Sequence, residues 1–469
     1  MKTINILQIN DVHGYIHKHP EYFYTHQGIE FKMAGGYARM RTIIKEAKKE
    51  HATLTLDGGD TFHGTKPVVE SKGEILIPIL NHLELDAMTG HWDFAYGPKH
   101  LISLTEKLNY PFLAANVYAK KDDKPVFEPS IIKQVGDMKV LVIGLGATIV
   151  DKTMPKHFSK GIYLTDGIDE LPKIIQQHQH DVDLIVVNSH MGYPQDVYLA
   201  NKIKGVDIWL SAHTHNRLEK PTLINDTILI QSGSHGSFMG KLTITLKDGQ
   251  KTFKHKLIAL TEDVKEDPSM QQLIDNLKIP YDLTVMGKTN TALMRNEVLH
   301  STLDELLQKS IAEASKKDIV FSNGWRYGPT ILKGNITKDD IYNMVPMNPK
   351  IITANLTGKE IRDMLEENIE RTFSNDPLAQ MGGFLKRVYG LKIYFKIENP
   401  YGSRIQSLFN KNGHIKDDEI YEVAYITQQG VPSKYGHHHQ NTNMSAQKAI
   451  ETYLNKQPFI ANEKAYLAI

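Results

Sequence analysis

Seven side chains able to bind a metal stand directly after short apolar runs in the first half of the chain: Asp11 and His13, Asp60, His91, His190, and the pair His213 and His215. Residues 4–9 lead into Asp11-Val12-His13, residues 53–56 into Asp57-Gly58-Gly59-Asp60, and residues 87–89 into Gly90-His91-Trp92-Asp93. Residues 184–187 lead into Asn188-Ser189-His190, and residues 208–210 into His213-Thr214-His215. Each fragment alone is weak, since Asp-x-His is common and Gly-Gly-Asp often marks only a turn. Five strand ends that each deliver a carboxylate or imidazole are far more specific, because open α/β sheets form their sites outside the carboxyl ends of strands. Imidazole and carboxylate suit Mn²⁺, Zn²⁺ or Fe. The chain has no cysteine, which excludes disulfides, thiolate metal sites and a cysteine nucleophile.

Two four-ligand sites are filled by these residues if one carboxylate bridges. Asp11, His13, Asp60 and His215 serve the first metal, and Asp60, His91, His190 and His213 the second. Two divalent ions, two aspartates and a bridging hydroxide leave net positive charge. Such a centre draws an anion and holds a nucleophile for in-line displacement at a phosphoryl-like atom.

The elements that must position these residues follow from the hydrophobic pattern. Up to about residue 260, β-branched runs alternate with helical stretches such as 43–50 and 101–108, which predicts a layered α/β domain. Around 261–300 the texture turns polar, with a helical pattern over 269–277. A second α+β unit follows, with a helix at 303–315 and strands at 318–321, 350–355, 391–395 and 421–425. The expected division is a metal domain over 1–262, a helical linker over 263–292 and a substrate domain over 293–469. A length of 469 residues accommodates this, at roughly 150 residues per domain or somewhat more.

Charge excludes other classes. Lys and Arg number 55 against 54 Asp and Glu, a net +1 that offers no field towards nucleic acid or anionic lipid. No run approaches the ~18 apolar residues of a membrane span. The opening ten residues are too short and polar for a signal peptide, so a cytoplasmic location is expected.

The strings Asp11-Val12-His13, Gly58-Gly59-Asp60, Gly90-His91, Ser189-His190-Met191-Gly192 and Ala212-His213-Thr214-His215 resemble those of the calcineurin-like metallophosphoesterases. The second half is similar to the C-terminal substrate domain of 5′-nucleotidases. The resemblance implies a four-layer α/β metal domain joined by a helix to a smaller α/β domain, with rotation between the two delivering substrate to the metals. It also implies the seven ligands given above, two divalent ions with Mn²⁺ foremost, and hydrolysis of a phosphate ester of a nucleotide or related small anion. Asn323 and Arg326, in the segment matching the family's phosphate contact, are the expected anion clamp, and Arg387 is a further candidate.

Two departures from the family pattern bear on mechanism. The family's usual Gly-Asn-His-Glu/Asp string carries a ligand Asn and a His acid, the latter oriented by an Asp three residues on. Here His91 replaces the Asn, Trp92 the acid and Ala95 the orienting Asp. An indole cannot protonate a departing alkoxide, so no general acid is assigned. Met347 stands where nucleotidases place one base-stacking ring, and Tyr435 to His439 occupy the region of the second. Met fills a pocket without stacking as a ring does.

Met88 to Phe94 and Phe321 to Gly328 are similar to the thiosulfohydrolase branch of the family. That resemblance implies cleavage of a sulfur–sulfur bond, whose thiol-like leaving group needs no acid, on a compound borne by a carrier protein. A metal-binding module without catalysis is the remaining alternative. Other imidazoles that could supply a proton are His235 and the run His437-His438-His439.

Overall fold

Alternation along the first strand decides which layers it separates. In Lys2–Ile9, Ile4 and Ile6 face one way, while Asn5 faces the other and donates from Nδ2 to the Ala47 carbonyl at 3.0 Å. Ala47 belongs to the helix Tyr37–Glu50, which covers that outer face. On the inner side, Ile4, Ile6, Leu54 and Leu56 meet Val140, Val142, Val186 and Ile208 in an apolar core between two sheets. The outer face of the second sheet is covered by the helices Glu170–His178 and Tyr193–Lys202, which pack Leu171, Ile175 and Leu199 onto Ile143, Val187 and Trp209. The result is a helix–sheet–sheet–helix sandwich.

The structure, a computed structural model, describes residues 1–328, 330–462 and 464–469. It divides into two compact units, Met1–Pro280 and Tyr281–Ile469. In the first unit one sheet runs in the order Gln250–Ala259, Phe238–Lys247, Lys2–Ile9, Ala52–Asp57, Ala87–Met88. The last three of these are parallel. The other sheet runs Thr222–Ile224, Thr227–Ile230, Ile208–Leu210, Leu184–Ser189, Met138–Leu145, Ser130–Val135, with its four central strands parallel. Buried amides tie the carboxyl ends of the two sheets together. Gln8 Nε2 donates to the Ser211 carbonyl at 2.7 Å, and Asn188 Nδ2 to the Asp57 carbonyl at 2.8 Å.

The segment read as a linker contributes to both units. Pro268–Asn276 is a helix capped by Asp267, whose Oδ1 accepts from the Met270 amide at 3.0 Å. It buries Met270 and Ile274 and packs within the first unit on Tyr37–Glu50 and Ile77–Leu83. Val285–Thr289 pairs with Gly334–Thr337 in the second unit.

The second unit has a five-stranded sheet, ordered Arg387–Tyr389, Ile319–Ser322, Ile420–Ile426, Lys350–Thr357, His437–Ser445. The helix Gly358–Phe373, started by a Thr357/Glu360 capping box, packs Ile361, Leu365 and Ile369 against Ile319, Leu356 and Val423. A four-stranded sheet around Lys392–Phe395 completes this core. Among the described residues, no helix is long and apolar enough to cross a membrane.

Candidate metal centre

The turns after the parallel strands carry all seven expected ligands to one place. Asp60, His91, His190 and His213 offer ligand atoms within 4.8 Å of one another, and so do Asp11, His13 and His215. Asp60 stands between the two groups: its Oδ2 lies 3.3 Å from His190 Nε2 and 3.5 Å from His13 Nε2, and its Oδ1 lies 3.5 Å from His91 Nδ1. Asp11 Oδ1 lies 3.3 Å from His215 Nε2 and 3.6 Å from His190 Nε2. Six of the seven side chains are buried, and His215 is partly so.

The backbone is strained where these side chains turn inward. Asp11, His13, Asp60, His213 and His215 have φ of 51°, 50°, 58°, 71° and 59°, in the left-handed region that non-glycine residues seldom occupy. Each such residue costs ~1–3 kcal/mol and persists only where surrounding structure over-determines it. Gly59, with φ 95°, lets two ligand loops touch, since a Cβ there would lie 2.5 Å from Gly90 Cα.

Asp93 locks those loops. Its Oδ2 accepts from the Asp60 amide at 2.9 Å and the His91 amide at 3.1 Å, and its Oδ1 from the Thr61 and Phe62 amides at 2.9 Å each. Sequence reading passed over this role, although Asp93 stands two residues after His91. Hydrogen bonds to a charged group contribute about 1.5–3 kcal/mol each, so Asp93→Ala is expected to cost about 3 kcal/mol even after water recovers part of the loss. At roughly 2–4 °C per kcal/mol, thermal unfolding should shift down by about 6–12 °C, with metal content falling in parallel.

The donor chemistry fits divalent cations. Both ring nitrogens of His91 and Nε2 of His190 are buried without a hydrogen-bond partner. Burying such a group unpaired costs ~1–3 kcal/mol, which a bound cation removes. His190 Nδ1 faces the Gly58 carbonyl at 2.5 Å, which fixes the tautomer and aims the Nε2 lone pair at the carboxylates. Burial pulls His190 down, but Asp60 and Asp11 outweigh it and lift it to about 10, a proton that a cation displaces. Burial pushes His13 down to about 3, the neutral state a ligand requires.

The chain is similar to known proteins over most of its length. Residues 281–428 match the family of the 5′-nucleotidase C-terminal domain. The trifunctional nucleotide phosphoesterase protein YfkN of Bacillus subtilis is 26% identical over 447 residues, which cover 82% of this chain and 30% of that protein. The chain thus spans under a third of that relative's length. Snake venom 5′-nucleotidase of Naja atra is 24% identical, over 86% of this chain and 84% of its own. The fold is similar to that of the sulfate thiohydrolase SoxB of Thermus thermophilus, with a TM-score of 0.91 at 21% identity, covering 100% of this chain and 97% of the other.

Residues 281–428 carry a 5′-nucleotidase C-terminal domain, and the chain as a whole is similar to the calcineurin-like 5′-nucleotidases.

Beside these relatives, the chain is unusual next to its second group of candidate ligands. Trp92 is nearly buried, its amide donates to Asp60 Oδ1 at 2.6 Å, and its indole stacks on His63 with ring centroids 4.5 Å apart. Phe158 meets the indole edge-on. His63, which no motif singles out, is itself buried and held down to about 3 by that burial. The Ala95 carbonyl accepts from His157 Nε2 at 3.0 Å.

In the second unit the expected substrate residues differ in what they have available. Arg387 is buried, with Nε on Asp304 at 3.1 Å and its two terminal nitrogens on the carbonyls of Val298 and Glu297 at 2.9 Å each. It anchors Asp304, which also binds Arg295, rather than presenting its fork to an anion, and this corrects the expectation for Arg387. Asn323 is committed to Gln429 and Thr427. Arg326 is half-buried, donating to the Gly383 carbonyl at 3.2 Å and lying over the Phe384 ring. Met347 is exposed, whereas Tyr435 is half-buried with its hydroxyl on Glu367 at 2.9 Å. The run His437 to His439 begins an exposed edge strand.

Proposed function

We propose that this protein hydrolyses a phosphate ester of a small anionic substrate, a nucleotide or a related compound, at a dinuclear metal centre. Asp11, His13, Asp60 and His215 would hold one cation, and Asp60, His91, His190 and His213 the other, with Mn²⁺ the preferred ion and Zn²⁺ or Fe also compatible with these donors. The carrying observation is the convergence of the two ligand groups on Asp60, whose carboxylate faces His190, His13 and His91 at 3.3–3.5 Å. Two bound cations supply a nucleophile from water at neutral pH and stabilise charge developing on a phosphoryl oxygen. The chain's own part is to aim imidazole lone pairs through bonds such as His190 to Gly58, and to fix the loops through Asp93. The same reading assigns the chemistry to residues 1–262 and the choice of substrate to 293–469, with 263–292 between them.

A second reading rests on Trp92. With an indole at the position of the family's acid, a leaving group that departs unaided is favoured, as in cleavage of a sulfur–sulfur bond, free or borne on a carrier protein. A panel of aryl phosphate, nucleoside monophosphate, cyclic dinucleotide and S-sulfonated thiol on metal-loaded protein separates the two. Phosphate release leading the panel supports the proposal. Turnover of the S-sulfonate alone transfers the assignment to the second reading, and no turnover of any substrate leaves only a metal-binding module.

Specificity for the base is expected to be weak. Stacking on an aromatic platform contributes ~1–3 kcal/mol per base, and Met347 provides no such face. Adenosine monophosphate should therefore gain little over an aryl phosphate in kcat/KM. Met347→Phe should raise the nucleotide preference by roughly tenfold, as read by kcat/KM on the same pair. An unchanged ratio in the variant, beside a strong preference in the wild type, would place the platform elsewhere.

A further inference from the structure

Beside the candidate dinuclear centre lies a third group of ligating side chains, partly buried His19 and buried Glu21 and His235, whose ligand atoms also fall within 4.8 Å of one another. His19 and Glu21 are two residues apart on the strand His19–Thr25, so the hairpin it forms with Gly28–Ala34 puts both on one face. His235 comes from a turn with φ 57°, held by its amide on the Asp11 carbonyl at 2.7 Å. Its ring centroid lies 5.7 Å from that of His215.

Glu21 is fully buried, and its two oxygens have different surroundings. Oε1 accepts from Arg217 at 2.9 Å and from the Tyr22 amide at 3.0 Å. The guanidinium is held independently over the Tyr22 and Phe238 rings, at 4.2 and 4.5 Å. Oε2 is approached by Ser237 Oγ at 3.0 Å, His235 Nδ1 at 3.4 Å and His19 Nε2 at 3.7 Å. The two imidazole distances exceed the ~2.7–3.2 Å of a good N–H···O bond. Donors ~2.0–2.1 Å from zinc in a tetrahedron stand about 3.3–3.4 Å apart, the spacing of His235 from Glu21, and His19 lies about 0.3 Å beyond it. Two histidines and a glutamate are also the donor set of open zinc sites. Arg217 on the far oxygen then acts as the outer support that fixes a ligating carboxylate.

We propose that His19, Glu21 and His235 form a third divalent-cation site, of zinc type, adjoining the dinuclear centre. The assignment is independent of which substrate that centre hydrolyses. The test is the bound zinc per chain after equilibrium dialysis of chelator-stripped full-length protein against Zn²⁺, compared between the wild type, Glu21→Gln and His19→Ala. Each variant should bind one equivalent fewer than the wild type. His91→Ala, made in parallel, should lose its equivalent from the dinuclear centre, so that His19→Ala and His91→Ala are additive in the double variant. Cobalt loading gives a second readout, with the visible absorption of one tetrahedral ion missing from His19→Ala. If loss of the charge partner of Arg217 leaves Glu21→Gln unfolded, His19→Ala, at the start of the hairpin, still decides the matter. Equal metal content and equal cobalt spectra in the wild type and His19→Ala overturn the proposal, whatever the dinuclear centre is found to hold.

Discussion

Asp60→Ala is expected to release both ions of the dinuclear centre, whereas His13→Ala should mainly weaken one. The difference follows from position: Asp60 Oδ2 faces His190 of one group and His13 of the other, while His13 Nε2 faces Asp60 and His215. Removing the carboxylate also leaves His190, His91 and His13 crowded together without a counter-charge. Loss of a supporting group around a metal typically costs 10–100-fold, so loss of the bridge should lower hydrolysis by more than about 10²-fold. Metal analysis beside the kinetics checks this. Near-stoichiometric retention of both ions by Asp60→Ala would remove the bridging role.

The second large effect concerns the leaving group. Trp92 is stacked on His63 with its amide tied to Asp60, and Ala95 is buried with its carbonyl on His157, so neither offers a proton where the family places an acid. Rates should therefore rise steeply as the leaving group becomes more acidic: fast for nitrophenolate or a thiolate, slow for an alkyl alcohol. Trp92→His combined with Ala95→Asp should raise alkyl phosphate hydrolysis by up to the ~10²–10⁴ that a positioned acid contributes, while activated esters change little. Metal content must be followed in the same samples, because the new imidazole neighbours His91. Similar wild-type rates on alkyl and aryl phosphates would show that another group donates the proton.

The seven candidate ligands were legible because each is local: a short apolar run sets a strand, and the next few residues must turn at its carboxyl end. The layered α/β character was legible in the alternation of β-branched runs with helical stretches, whereas the two-sheet sandwich was implied only by the resemblance to the metallophosphoesterases. What escaped depends on distant partners. Arg387 looked like an anion contact because nothing in the chain reveals that Asp304, 83 residues earlier, takes it. The hairpin that brings His19 and Glu21 to His235 joins residues more than two hundred positions apart, and no motif spans them. Asp93 stood in plain view beside His91, yet its four amide bonds exist only once the Asp60 loop has folded against it. The 263–292 segment was polar enough to suggest a spacer, but Met270 and Ile274 give its helix an apolar face that docks on the first unit.

The most direct test of the central claim is turnover of p-nitrophenyl phosphate by chelator-stripped protein as Mn²⁺ is returned, with bound metal counted in the same samples. Stripped protein should be inactive, and activity should recover in step with occupancy of the ions that Asp60→Ala cannot hold. Turnover that persists without metal, or fully loaded protein that cleaves neither this ester nor an S-sulfonated thiol, would contradict a hydrolytic dinuclear centre.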